Sequence, residues 1–161
     1  MDSELYKLAA EAGEALRRRG WMLAIAESCT GGWLGQAVTM VPGSSKWFDC
    51  GFVTYTNDAK HDLLGVRDET LAHFGAVSEQ AVREMAQGAL ARSRARLAVA
   101  VSGVAGPDGG TPDKPVGTVW IAWALGEDVM ALRFGFSGDR DAVRRQAVIA
   151  ALSGIVERAR G

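Results

Sequence analysis

The sequence contains few of the residues that build metal sites and disulfide frameworks. Its 161 residues include only two cysteines, Cys29 and Cys50, and two histidines, His61 and His73. The cysteines lack C-x-x-C spacing, and no acidic or cysteine cluster surrounds the histidines at zinc-site spacing. We therefore expect reduced thiols, a cytoplasmic location and no metal site built from ligands close in sequence.

The sequence also lacks a long apolar run and an excess of charge of either sign. No segment approaches the roughly 20 apolar residues that span a bilayer, and charged residues interrupt the N-terminal segment before a signal peptide could form. The formal net charge is -1, whereas a general nucleic-acid binder is usually basic. We therefore expect neither a membrane nor a nucleic acid as a partner.

Length and composition instead favour a single globular domain over residues 1–161, with 48% hydrophobic and 23% charged residues. Periodicity predicts helices at residues 3–19, 31–39, 58–64, 68–74, 78–93 and 139–158. Apolar runs predict strands at residues 21–26, 52–55, 97–101, 116–125 and 129–136, the last two forming a hairpin. This alternation predicts an α/β fold, a three-layer α/β/α sandwich with a mixed sheet.

The segment AESCTGG, residues 26–32, lies where the first predicted strand turns into a helix. Such a junction points free backbone N–H groups and the positive end of the helix dipole outward, which suits anions and developing oxyanions. Ser28 is the candidate nucleophile, and Cys29 is the alternative because a thiol at a helix N-terminus can ionise. Glu27 is either a buried structural acid or a group that polarises the site, and the sequence leaves both open.

The segment SGVAGPDGG, residues 102–110, follows the strand predicted at residues 97–101. Ligand sites of open α/β sheets gather beyond such strand ends, and four glycines in nine residues let the backbone approach a ligand closely. The segment matches neither the dinucleotide-binding fingerprint nor the P-loop. Two interpretations remain, a phosphate or nucleotide cradle and a flexible turn.

Lys60 lies in the first turns of a short helix that we expect Asn57 to cap. The positive end of the helix dipole disfavours a charged lysine, which suits a neutral general base. A solvated surface lysine is the alternative interpretation.

Three arginines, Arg140, Arg144 and Arg145, lie near the start of the last predicted helix, the unfavourable end for a cation. Either an anionic ligand or ion pairs with Asp139 and Asp141 would explain them. One of these arginines is therefore a candidate for binding a phosphate through two parallel hydrogen bonds.

Taken together, these segments resemble the CinA C-terminal domain family in its stand-alone form. The resemblance covers nearly the whole chain, in AESCTGG (26–32), PGSSKWFDCGFVTYTNDAK (42–60), LLGV (63–66), GAVSE (75–79), SGVAGPDGG (102–110), KPVGTVW (114–120) and FSGDRDAVRRQ (136–146). It implies a single amidohydrolase domain that hydrolyses nicotinamide mononucleotide to nicotinate mononucleotide and ammonia, a reaction of pyridine nucleotide salvage. It also implies a Ser/Lys dyad that works without metal or cofactor.

Carried over residue by residue, the resemblance makes Ser28 the nucleophile and Lys60 the general base. Tyr55 and Ser45 would orient the lysine or shuttle its proton. The motifs leave both Ser28 and Ser45 open as the attacking serine, with Ser28 favoured. The candidate substrate-binding residues are Thr30, Gly31 and Gly32 for the oxyanion, and Ser102, Gly103, Gly106, Pro107, Gly109, Gly110, Arg140, Arg144 and Arg145 for the phosphate.

Two other functions stay open from the sequence. A phosphohydrolase would use the same glycine-rich segments but normally needs Mg²⁺ and a carboxylate cluster, for which Asp108, Asp113 and Asp139 make a poor case. A non-catalytic interaction or regulatory domain linked to competence or DNA damage is the other. Apolar, tryptophan-bearing strands and helix faces lead us to expect a homo-oligomer, with a dimer favoured.

Overall fold

The computed structural model describes residues 1–161 and is built around one mixed sheet. Its strands are β1 (Leu23–Glu27), β2 (Phe48–Val53), β3 (Leu97–Gly103), β4 (Thr118–Leu125) and β5 (Asp128–Gly135). They lie in the order β2-β1-β3-β4-β5. β1 is parallel to both of its neighbours, whereas β4 is antiparallel to β3 and β5. The predicted mixed sheet and its terminal hairpin are therefore confirmed.

Helices cover both faces of this sheet. They are α1 (Ser3–Arg19), α2 (Trp33–Thr39), α3 (Asn57–Leu64), α4 (Asp68–Phe74), α5 (Glu79–Ala91) and α6 (Arg140–Arg160), with a short 3-10 helix at Ser44–Lys46. One core lies between the sheet and α1, α2 and α6, and a second core lies between the sheet and α3, α4 and α5. This arrangement confirms the predicted α/β/α sandwich. None of the helices combines the length and apolarity needed to cross a membrane.

The two faces of the sheet differ in side-chain size. Successive residues of a strand point to opposite faces, so Leu23 and Ile25 of β1 enter the first core, whereas Ala24 and Ala26 enter the second. On the first face, Trp123 of β4 lies against Gly154 of α6, where a β-carbon would overlap the indole ring. Large side chains on this face therefore depend on small residues in the facing helices.

Several boundaries differ from the sequence predictions by one or two residues, and the start of β2 differs by more. β2 begins at Phe48 rather than at residue 52, and its residues alternate between half-buried and exposed. Such alternation is typical of an edge strand with one face toward the core. The cap of α3 is Thr56, whose Oγ1 accepts a hydrogen bond from the Ala59 amide at 3.1 Å, so the prediction of Asn57 was wrong by one residue.

The topology also fixes where side chains can meet. Parallel strands end at the same edge of a sheet, so the segments that follow β1, β2 and β3 converge. The Ser28 amide donates to the Val101 carbonyl of β3 at 3.0 Å, and the Thr54 amide donates to the Glu27 carbonyl at 2.8 Å. These bonds join the three strand ends.

Candidate active site

A pocket of about 300 Å³ opens at the joined ends of β1, β2 and β3. Its walls come from the turn after β1, the segment from Tyr55 into α3, residues 76–77, the loop after β3 and the first residue of α6. Clefts at this edge are the usual ligand sites of α/β sheets. The chemistry of the site therefore depends on the side chains that these segments place there.

Ser28 and Lys60 meet at this pocket. Lys60 Nζ lies 2.9 Å from Ser28 Oγ, 2.8 Å from the Thr54 carbonyl oxygen and 3.3 Å from the Tyr55 carbonyl oxygen. A helical side chain points toward the N-terminus of its helix, which carries the Lys60 amine back to the start of α3. Lys60 is only 1% exposed and Ser28 only 8% exposed. The solvated-lysine interpretation was therefore wrong.

Burial lowers the pKa of Lys60 to about 8, because removal from water disfavours the ammonium form. None of the three acceptors around Nζ is a carboxylate that would hold the charge. In the neutral amine, two N–H groups can bond the Thr54 and Tyr55 carbonyls while the lone pair faces the Ser28 hydroxyl. This geometry suits a serine activated by a lysine base.

Cys29 lies beside Ser28 and also lines the pocket. Burial raises the pKa of its thiol to about 11, so the thiolate form that a nucleophile requires is scarce near neutral pH. The sequence made Cys29 an alternative nucleophile because its thiol could ionise, and burial of the thiol opposes this ionisation.

The turn after β1 is organised by the carboxylate of Glu27, which is 1% exposed. Glu27 Oε1 accepts from Thr30 Oγ1 at 2.6 Å, from the Gly32 amide at 3.2 Å and from the Leu34 amide at 2.9 Å. Glu27 Oε2 accepts from the Gly35 amide at 3.0 Å. The amides at the start of α2 therefore already bind an anion, which is the carboxylate of Glu27.

The N–H groups left for a ligand differ from the predicted ones. The Gly31 amide donates to the Ser28 carbonyl at 3.0 Å, and the Gly32 amide donates to Glu27. The expectation that these two amides hold an oxyanion was therefore wrong. The amides of Cys29 and Thr30 donate to no acceptor within the chain, but Thr30 is fully buried and does not line the pocket, so the Cys29 amide is the one that a pocket ligand can reach.

Arg140 is the member of the arginine group that lines the pocket. Its Nη1 donates to the Gly106 carbonyl at 2.8 Å, and its Nη2 donates to the Tyr55 hydroxyl at 3.0 Å. Tyr55 therefore contributes its carbonyl oxygen to Lys60, while its hydroxyl contacts Arg140. The expected contact between this hydroxyl and the lysine is absent from the structure.

The other two arginines have structural partners. Arg144 Nε donates to the Cys29 carbonyl at 3.0 Å and so supports the turn after β1 from outside. Arg145 forms ion pairs with Asp2 and Glu4 at 2.8 Å, and its hydrogen bonds to the Asp2 carboxylate, together with that of the Leu5 amide, hold the pKa of Asp2 down at about 2. Neither arginine lines the pocket, so the structure does not place them where a pocket phosphate would lie.

Ser45 lies at the other end of the sheet. It is exposed on the 3-10 helix before β2, where the Leu23 amide at the start of β1 bonds the Trp47 carbonyl at 2.8 Å. Ser28 follows the opposite end of β1. Within one chain, the expectation that Ser45 orients Lys60 was therefore wrong, because the length of a strand separates the two.

The glycine-rich loop lines the pocket with only part of its length. The predicted residues that do so are Ser102, Gly103, Gly106 and Gly109. Pro107 and Gly110 lie outside the lining, whereas Asp108, Asn57 and Val77 belong to it. A polar residue among glycines was a signal for Asp108, but no local pattern pointed to Val77.

The structure holds no cluster of three or more His, Cys, Asp or Glu side chains arranged for a metal ion.

Fold and pocket together define an α/β/α sandwich protein with a lysine-paired serine at its strand ends. The model of the CinA C-terminal domain family matches residues 5–159, and the chain therefore belongs to that family.

Relatives and solved structures agree with this assignment. The chain is 58% identical to nicotinamide-nucleotide amidohydrolase PncC of Escherichia coli strain K12, over 94% of this chain and 92% of that protein. It is 57% identical to the protein of the same name from Pseudomonas putida, over 93% and 94%. The crystal structure of the competence/damage inducible protein CihA from Agrobacterium tumefaciens superposes with a TM-score of 0.94 at 45% identity, covering 98% of this chain and 96% of that one.

Proposed function

We propose that this chain is a serine amidohydrolase that converts nicotinamide mononucleotide and water into nicotinate mononucleotide and ammonia. The observation that carries the proposal is the contact of 2.9 Å between Ser28 Oγ and a buried lysine amine whose pKa is lowered to about 8. The names of the relatives, which are identical at more than half of the aligned positions, support the substrate. A single domain over residues 1–161 carries the activity.

Acylation begins with attack of Ser28 Oγ on the carboxamide carbon. Neutral Lys60 accepts the hydroxyl proton as the new C–O bond forms, and the carbonyl π electrons move to the oxygen. The tetrahedral intermediate collapses when the C–N bond breaks and the Lys60 ammonium returns its proton to the leaving nitrogen. Ammonia departs and an ester joins the nicotinoyl group to Ser28.

Deacylation repeats the sequence with water. Lys60 takes a proton from the water molecule that attacks the ester carbon, and the second tetrahedral intermediate expels Ser28 Oγ. The lysine then returns the proton to the serine. Nicotinate mononucleotide leaves, and the serine hydroxyl and the neutral amine are restored.

The developing oxyanion needs donors that are fixed before the reaction starts. The backbone amide of Cys29 suits this role, since Cys29 adjoins the nucleophile and lines the pocket, and its amide has no acceptor within the chain. This donor replaces the amides of Thr30, Gly31 and Gly32 that the sequence pointed to.

Arg140 is the cation that we assign to the substrate phosphate. It lines the pocket, and its contacts are two neutral oxygens, the Gly106 carbonyl and the Tyr55 hydroxyl, so its charge is not neutralised by a carboxylate. The glycines of the loop let its backbone approach the phosphate closely. Asp108 would repel a phosphate placed beside it, and it suits the ribose hydroxyls because a carboxylate accepts their hydrogen bonds.

We expect this activity to serve pyridine nucleotide salvage in the cytoplasm, without metal or cofactor, in a chain that forms a homodimer. Membranes and nucleic acids are not expected partners. The competing function, a non-catalytic interaction or regulatory domain, predicts that the pocket residues can be changed without loss of partner binding.

The test is product analysis with the purified protein and nicotinamide mononucleotide in the presence of EDTA. We expect ammonia and nicotinate mononucleotide in equal amounts, and much slower release from nicotinamide riboside, which lacks the phosphate. No ammonia from either compound would overturn the amidohydrolase proposal and favour the interaction domain. Turnover that EDTA abolishes would contradict the metal-independent mechanism.

A further inference from the structure

Glu27 is the most extensively hydrogen-bonded carboxylate of the chain, yet the reaction described above assigns it no step. It is the last residue of β1, it is 1% exposed, and its four donors come from residues three to eight positions further along the chain. A buried carboxylate is costly unless such donors compensate for its lost hydration.

The donors identify what the carboxylate holds. α2 begins after Gly32, which has no side chain to cap it, and the amides of Gly32, Leu34 and Gly35 all point to Glu27. An N-terminal carboxylate satisfies these amides and favours the positive end of the helix dipole. Glu27 therefore caps the N-terminus of α2, although it lies before the turn that contains Ser28 and not next to the helix.

Glu27 constrains the turn because it forms the first end of the turn, and its carboxylate is hydrogen-bonded to the amides at the other end, where α2 begins. Between the two ends lie Ser28, Cys29 and Thr30, and the hydroxyl of Thr30 is also bound to the carboxylate at 2.6 Å. The main chain of Glu27 is fixed as well, since its carbonyl accepts from the Thr54 amide at 2.8 Å. The Cys29 amide, which has no acceptor within the chain and lies at the pocket, belongs to this closed turn.

We propose that Glu27 is a positioning residue, an anion built into the turn that fixes Ser28 and holds the Cys29 amide in place for the substrate carbonyl. The inference rests on the proposed function for its kinetic consequence. The substrate phosphate must then bind elsewhere than at the start of α2, because the Glu27 carboxylate already accepts from the amides there.

The direct test compares Glu27→Gln with Glu84→Gln. Glu84 is a matched control, since it also accepts from a threonine hydroxyl (Thr70, 2.6 Å) and from a backbone amide (Arg67, 2.9 Å), but it lies outside the pocket. We expect Glu27→Gln to lower kcat about 100-fold, as a displaced reacting group does, with KM within about twofold of wild type. We expect Glu84→Gln to leave both constants unchanged.

Two further measurements separate positioning from general loss of structure. The pH dependence of the residual activity should keep the wild-type inflection, because Glu27 does not contact Lys60. Amide hydrogen exchange should become faster at Gly32, Leu34 and Gly35 in Glu27→Gln but not in Glu84→Gln. The inference is overturned if kcat of Glu27→Gln stays within about twofold of wild type, or if Glu84→Gln loses as much.

Thr30 provides a second pair of variants should Glu27→Gln not fold. Thr30→Val deletes one of the four hydrogen bonds with almost no change of shape, and Thr30→Ser retains it. We expect kcat to fall about tenfold in Thr30→Val and to stay within about twofold in Thr30→Ser. Equal kcat values in the two would overturn the inference.

The outcomes also separate this inference from the proposed function. A wild-type protein that does not hydrolyse nicotinamide mononucleotide would remove the proposed function, while the amide exchange of Gly32, Leu34 and Gly35 would still test whether Glu27 holds the turn. A wild-type protein that turns over, with unchanged kcat in Glu27→Gln, would remove only the positioning role.

Discussion

The protonation of Lys60 makes a quantitative prediction for the pH dependence of catalysis. Burial lowers the pKa of this lysine to about 8, and only the neutral amine can accept the Ser28 proton. About one molecule in eleven then carries the active form at about pH 7, and about ten in eleven at about pH 9. We expect kcat/KM to rise about tenfold between these two values and to level off above them.

The assay is ammonia release at substrate concentrations far below KM, because kcat/KM reports the titration of the free enzyme. His61 is the control, since it adjoins Lys60 in sequence and its pKa is raised by its hydrogen bond to the Val66 carbonyl and by Asp68. His61→Gln should keep the inflection near that of wild type. A profile that is flat or falling over this range, or an inflection lost in His61→Gln, would refute the assignment of Lys60 as the base.

Further predictions concern residues around the pocket and in the core. Arg140→Gln should raise KM for nicotinamide mononucleotide about tenfold or more with a smaller effect on kcat, and Arg145→Gln should leave steady-state KM unchanged. Arg145→Gln should instead lower the thermal melting temperature near neutral pH. Because the pKa of Asp2 is depressed to about 2, that difference should shrink as the pH falls from about 4 toward 2. Gly154→Ala should destabilise the fold by about 1–3 kcal/mol in urea denaturation, since its β-carbon would overlap the Trp123 ring.

Much of the architecture follows from local patterns in the sequence. The apolar run at the centre of β3 and the hairpin of β4 and β5 are strong signals, and the mixed sheet follows from them. β2 was harder, because an edge strand containing Asp49 and Gly51 has too few apolar residues to stand out. The pairing of Ser28 with Lys60 was also predicted, although the cause given for the lowered lysine pKa was the helix dipole rather than burial.

The remaining features depend on partners that are distant in sequence. Arg145 lies near a helix start because Asp2 and Glu4 neutralise it from the other end of the chain. Ser45 resembles a site residue in its motif, but the direction of β2 carries it to the opposite end of the sheet. The start of α2 was expected to be open for an anion, and only the folded turn reveals that Glu27 fills it.

The most direct test of the central claim is the activity of two single variants, Ser28→Ala and Lys60→Met, toward nicotinamide mononucleotide. Circular dichroism would confirm that each is folded, and Ser45→Ala would serve as the serine control. We expect kcat/KM to fall about 1000-fold or more in both pocket variants and to stay near wild type in Ser45→Ala. A folded Ser28→Ala protein that retains wild-type turnover would contradict the account.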